Sequence, residues 1–140
     1  MYSSTWPAAH YLNKGLLLTG FMLISIFLSY GQGTRLLREP TVSDTHVAFV
    51  YGGDIWITNL SDNRTQRITS TPAVESNPQL SPDGQTIAFS SNRSGNNAVY
   101  TVPISGGESK RLTWHPASAS VRGWAPNGRS IFYSTPAKHK

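Results

Sequence analysis

"PQLSPDGQTIAFSSNR" (Pro78–Arg93) decides the fold. It reads as a strand, a tight turn and a second strand. Pro82 supplies the fixed φ that a turn wants, Asp83 can close its side chain onto the backbone, and Gly84 tolerates positive φ. Ile87 and Phe89 then alternate with neighbours in a β-rich run. Ala88, on the opposite face, is also apolar, so both faces of this strand expect cover. A sheet covered on one face only would show a polar alternate position.

The stretch returns 44 residues later as "RGWAPNGRSIFYSTP" (Arg122–Pro136). Ser81–Gly84 matches Ala125–Gly128, Leu80 matches Trp124, Ile87 matches Ile131, and Phe89 matches Tyr133. An earlier copy keeps the offset in its second half: Trp56 matches Tyr100, Arg67 matches Arg111, Ile68 matches Leu112, and Thr69 matches Thr113. Its first half, "EPTVSDTHVAFVYGG" (Glu39–Gly53), is two residues shorter at the turn. A period of this length with four strand-like runs marks propeller blades. The spacing predicts one blade with strands at Pro78–Ser81, Gln85–Ser91, Asn97–Pro103 and Glu108–Thr113. The fold class is therefore all-β: about two and a half four-stranded antiparallel blades over residues 34–140, after an N-terminal signal or anchor helix.

Composition agrees. Charged residues are only 14% of the 140-residue chain, and no cysteine is present. That excludes disulfides, thiolate metal sites and a cysteine nucleophile. Beyond Gly33, 11 Lys and Arg stand against 7 Asp and Glu. The basic residues are spread along the chain, which argues against nucleic acid as a partner.

Residues 1–33 differ in kind. Gly15–Tyr30 ("GLLLTGFMLISIFLSY") is an apolar run preceded by Lys14 and followed by the small residues Gly31 and Gly33. That order predicts a secretory signal peptide cut near Gly31 or Gly33, or an uncleaved membrane anchor through residues 15–30. Either way the remainder is expected to be exported, to a periplasmic or extracellular location.

Residues 78–113 resemble the TolB-type propeller blade, with "SPDG", "IAF", "SNRSG", "VY", "GG" and "RLT" in order and Leu80 in the slot that is usually aromatic. "LLREPTVSDTHVAFVYGGDIWI" (Leu36–Ile57) and "RLTWHPASASVRGWAPNGRSIFYS" (Arg111–Ser134) are similar to the opening blade and a blade junction of the N-terminal propeller of tricorn-type serine proteases. The resemblance spans about residues 36–136. It implies a segment that binds or gates peptide substrate for a serine peptidase core not in this chain. It also implies further blades and that core as partners in a longer polypeptide. A non-enzymatic TolB-like protein-binding scaffold, or a propeller joined to another hydrolase, is the alternative.

No residue of this chain is expected to be catalytic, and no cofactor or metal is expected. His10, His46, His115 and His139 show no metal-ligand spacing. No G-x-S-x-G or S-x-x-K motif occurs. Asp83 reads as a turn residue, because its counterpart Asn127 serves a turn equally well and cannot act as a base. Asp54 reads as a turn or edge charge. The repeated Arg67 and Arg111 point to structural pairing with an acid of the neighbouring blade. Trp56, Trp114 and Trp124 read as core or junction residues. Asn59, Asn63 and Asn92 stand in glycan-acceptor triplets but read as polar turns. Ile87, Phe89, Val99 and Tyr100 of the middle copy should be the best covered. Val47, Phe49, Ile55 and Ile57 of the first copy, and Ile131 and Tyr133 of the third, should lack cover.

Overall fold

The β-rich runs form strands wherever the turn chemistry allows a return. The structure, a computed structural model, describes residues 37–136. The leader, His10 and His139 lie outside the described residues. Strands β1 (Arg38–Val42), β2 (His46–Tyr51), β3 (Asp54–Asn59) and β4 (Thr65–Arg67) form one antiparallel sheet in sequence order. Strands β5 (Glu75–Leu80), β6 (Thr86–Ser91), β7 (Ala98–Pro103) and β8 (Lys110–Arg111) form a second. β9 (Ser120–Trp124) and β10 (Ile131–Ser134) begin a third. This is the arrangement of two and a half propeller blades, and the described residues contain no helix.

Turn length sets each register. The pairs Leu80↔Ile87 and Trp124↔Ile131 flank six-residue turns, whereas Val42↔Val47 flanks a four-residue one. Ser43 closes the short turn: its N–H donates to the His46 carbonyl (2.8 Å), and its Oγ accepts the His46 N–H (3.1 Å). Ser81 closes the long turn in the same way with Thr86 (2.8 and 3.0 Å). Between β2 and β3 the loop is only Gly52–Gly53, both at positive φ (62° and 88°), the two-residue hairpin that glycine makes cheap.

The second and third strands of the middle blade each start one residue later than the sequence reading has them, at Thr86 and Ala98, and the first and fourth differ more. The first strand of the middle blade starts at Glu75, not Pro78, because Glu75 and Ser76 pair with Ser91 and Ser90 ahead of an irregularity at Asn77–Pro78. The fourth strand is the two residues Lys110–Arg111, not Glu108–Thr113. Beyond Arg111 the Leu112 N–H still donates to the Val99 carbonyl (2.8 Å), but the Val99 N–H goes to the Thr113 hydroxyl (2.9 Å), so a side chain stands in for the backbone acceptor.

Both faces of the middle blade are covered. Ile87, Phe89, Tyr100 and Val102 meet Ala48, Val50, Ile55 and Ile57 of the first blade in one buried cluster. Ala88 and Val99, from the opposite face of the same strands, meet Ala119 and Val121 of the third blade in another. Ile55 and Ile57 are thus buried, contrary to the expectation for the first copy. Alternation puts them on the face turned toward the middle blade. Val47 and Phe49 are only partly covered, on the face turned away. Ile131 is half-buried, and Tyr133 is 51% exposed.

Burying a side chain such as Phe89 contributes more than any surface contact here. Phe89→Ala should lower unfolding stability by about 3–5 kcal/mol, whereas Phe132→Ala, at a 59% exposed position, should stay within about 0.5 kcal/mol. Urea unfolding of both variants followed by tryptophan emission provides the check. Equal effects would contradict the assignment of faces.

Candidate functional site

The blades converge along their first strands: β1 lies beside β5, and β5 beside β9. Each first strand carries one residue more than its partner at the same height. Arg38↔Val50 is followed by Thr41↔Ala48, Ser76↔Ser90 by Gln79↔Ala88, and Gly123↔Phe132 by Val121↔Tyr133. The bulges fall at Glu39–Pro40, Asn77–Pro78 and Arg122. A proline has no N–H for the ladder, so a bulge is where a strand can hold one. Glu39 and Asn77 take positive φ (55° and 51°), and the Glu39 carboxylate accepts the Asn77 N–H across the two blades. Trp124 Nε1 donates to the Gln79 carbonyl (2.9 Å), joining β9 to β5. The inner edge so formed presents polar or charged side chains: Arg38, Glu39, Ser76, Asn77, Gln79 and Arg122, all exposed or half-exposed.

Behind this edge lies a buried charged cluster that the sequence reading does not foresee. The Glu75 side chain has no exposure. Its Oε1 accepts from Arg93 Nη2 (2.7 Å), Thr71 Oγ1 (3.0 Å) and Ser91 Oγ (3.1 Å), and its Oε2 from Thr69 Oγ1 (2.8 Å). Arg93 spreads over the stacked rings of Phe89 and Tyr100, 5.3 and 4.7 Å from their centroids. Asn92 Oδ1 accepts the Val74 N–H (2.9 Å). The cluster ties the exit of the first blade to the second. Each Glu75 oxygen has a donor and the side chain has no exposure, so the cluster acts as a clamp between the two blades. The one available signal is Arg93 within "SNRSG". Glu75 lies in a polar run whose strand character the sequence does not reveal.

The residues weighed for chemistry fall mainly into turns. Asp83 Oδ1 accepts from Ser81 Oγ and from the Gln85 N–H (3.0 Å). These bonds, the serine's foremost, hold its carboxyl below the usual range. Asn127 makes the equivalent bond to the Arg129 N–H (3.0 Å), as a turn role requires. His46 Nδ1 lies 2.8 Å from Thr45 Oγ1, and His115 Nδ1 accepts the Ala117 N–H (3.0 Å). Asn59 Oδ1 accepts from Ser61 N–H (2.8 Å) and hydroxyl (2.7 Å). Asn63 sits in a turn at positive φ (56°).

Arg67 does find an acid, but within its own blade. Its Nη2 lies 2.6 Å from Asp54 Oδ2, and its Nε donates to the Thr69 carbonyl (2.8 Å). Asp54 is therefore a buried ion-pair partner, not a free edge charge. Arg111 repeats the Nε bond, to the Thr113 carbonyl (2.6 Å), without an acidic partner among the described residues. Trp124 is a junction residue, as expected. Trp56 packs edge-on to Tyr51 (5.9 Å) on the first blade's outward face. Trp114 is 70% exposed and belongs to no core.

Comparison with known proteins gives a consistent picture. Residues 34–140 match the family model described as the tricorn protease N-terminal beta propeller domain. Tricorn protease homolog 1 of Streptomyces coelicolor is 37% identical over 100 residues, covering 71% of this chain and 9% of that protein. A Sulfurisphaera tokodaii protein described as a Tricorn-like protease N-terminal subunit is 34% identical over 103 residues, covering 71% of this chain and 52% of that protein. Among solved structures, a TolB from Agrobacterium tumefaciens superposes with a TM-score of 0.62 at 26% identity, over 70% of this chain and 37% of that one. The present sequence thus spans under a tenth of one of these relatives and about half of the other.

Removing one member of a buried pair leaves an uncompensated charge, so Glu75→Gln should cost about 3–5 kcal/mol of stability. Arg64→Ala breaks a pair 3.9 Å long whose side chains are 88% and 47% exposed, and should cost under about 1 kcal/mol. Thermal unfolding of the two variants distinguishes them. A Glu75→Gln protein as stable as the parent would show that the cluster is not a clamp.

Proposed function

The chain belongs to the tricorn protease N-terminal β-propeller family, and from that premise we propose that its blades bind and gate extended peptides for a serine peptidase core carried outside residues 1–140. The supporting observation is the polar, bulged inner edge formed by β1, β5 and β9. An extended peptide exposes alternating side chains and free backbone groups that such an edge can meet. A folded protein cannot thread between converging blades. The contribution of this segment is steric and binding-based, and the chemistry belongs to the core. A second reading, a protein-binding scaffold without a peptidase, is favoured by the likeness to the Agrobacterium TolB structure.

The protein has no cysteine, so Ser76→Cys gives one thiol on the inner edge for an environment-sensitive dye. Extended casein peptides should change its emission while folded lysozyme does not, and the protein should turn over neither. Response to a folded protein alone would favour the scaffold. Response to neither, or peptide turnover abolished by a single Ser→Ala change in this sequence, would reject the gating role.

Export belongs to the same proposal. Residues 1–33 direct it, by the order of Lys14, the apolar run and the small residues after it. The exported product should begin near residue 32 or 34 by intact mass. A cytosolic product beginning at Met1 would refute export.

A further inference from the structure

Set side by side, the blades differ at one arginine, whose carboxylate is missing in the second. In the first blade, the Ile55 N–H donates to Thr69 Oγ1 (2.8 Å), Arg67 Nε donates to the Thr69 carbonyl (2.8 Å), and Arg67 Nη2 holds Asp54 at 2.6 Å. In the second, the Val99 N–H donates to Thr113 Oγ1 (2.9 Å) and Arg111 Nε to the Thr113 carbonyl (2.6 Å). The frame is the same, 44 residues on. At the position of Asp54, however, stands Ala98, buried and apolar. Arg111 forms no ion pair among the described residues. Its guanidinium is anchored through Nε alone, with the donors that Arg67 spends on a carboxylate left over. The ring of Trp114, itself 70% exposed, lies 6.0 Å from it.

The pair stays accessible when a complete blade lies alongside. The equivalents of Arg111 and Trp114 in the first blade are Arg67 and Ser70. Arg111 lies opposite Tyr100, on the face that the complete first blade covers, and is half-exposed there, and Ser70 is exposed although a full four-stranded blade follows it. The site lies at the end of the outer strand β8, away from the inner edge, so it is independent of the gating proposal.

We propose that Arg111 and Trp114 form a carboxylate-binding site for an acidic peptide segment of a partner protein. The incoming carboxylate meets the guanidinium donors that Arg67 gives to Asp54 in the first blade, and the Trp114 ring covers the apolar stem of the residue that bears it. A planar guanidinium fixed at Nε presents a paired donor edge that fits a carboxylate. An exposed tryptophan beside an arginine is the composition of an interface anchor. The carboxylate can come from a Glu or Asp residue or from the C-terminus of the partner.

The test titrates the full-length protein with three probes and follows the Trp114 indole N–H resonance, assigned by its loss in Trp114→Phe. Hexaglutamate blocked at both ends carries only the carboxylates of its glutamates. A Gly-Ser hexapeptide with a free C-terminus carries a terminal one, and the same peptide amidated carries none. One or both acidic probes should shift the resonance, and the amidated control should not. Arg111→Met should weaken that binding by about tenfold or more, the effect of losing a charge-assisted hydrogen bond. Ala98→Asp, which restores the first-blade partner, should do the same with the fold retained by circular dichroism. Arg64→Met, a like change of charge at an 88% exposed position on the first blade, should leave the affinity unaltered. The proposal is overturned if neither acidic probe shifts the resonance, or if binding survives Arg111→Met.

Discussion

A sheet that carries apolar side chains on both faces persists in water only when something lies against each face. Every feature of this fold follows from that requirement. Ala88 is small because the third blade approaches there, while Phe89 is large because the first blade leaves room on the other side. Covering a side chain of that size is worth roughly 1.5–3 kcal/mol, so the interfaces between blades outweigh any single turn or ion pair. The turns then serve to bring each sheet back at the height where its neighbour waits. The open face of the first blade, with Val47 and Phe49 half-covered, shows what the same sheet looks like before its requirement is met.

Much of this is legible in the sequence because a repeat exposes its own frame. The pairs Ser81/Ala125 and Asp83/Asn127 place two turns, and the alternation of Ile87, Ala88 and Phe89 shows a sheet covered on both sides. What alternation cannot show is which neighbour each face meets. Sequence alone therefore leaves Ile55 and Ile57 on the bare side of the first copy, although they point at the middle blade. It places the partner of Arg67 in the next blade for the same reason, since sequence distance does not reveal that Asp54 stands across a hairpin. Glu75 escapes notice because "ESN" is polar, and a buried carboxylate is invisible until its donors, Arg93 and three hydroxyls, are gathered around it. Residue type alone makes Trp114 a buried residue, and an exposed tryptophan has no signature in one sequence.

The two blade junctions share a backbone and differ in charge. Glu75 N–H donates to the Gly53 carbonyl (2.8 Å), and 44 residues on the Ala119 N–H donates to the Asn97 carbonyl (2.8 Å). Around the first of these stands an ionic cluster, and around the second an apolar one of Ala88, Val99, Ala119 and Val121 with Leu112, Trp124 and Ile131 against it. The same frame thus tolerates opposite solutions for its interior. A buried pair and a packed apolar contact can be close in net stability, so side chains at these positions are free to differ so long as each set is complete.

Those two junction hydrogen bonds carry a further consequence. Because the 44-residue period runs unbroken through the connection between blades, the seam is part of the repeating unit and not a linker between units. Unequal crossing-over anywhere within the period would add or delete a segment whose two ends already fit their neighbours. Gene duplication can therefore lengthen or shorten such an array without inventing a new contact, and selection then needs only to adjust the first and last members to each other.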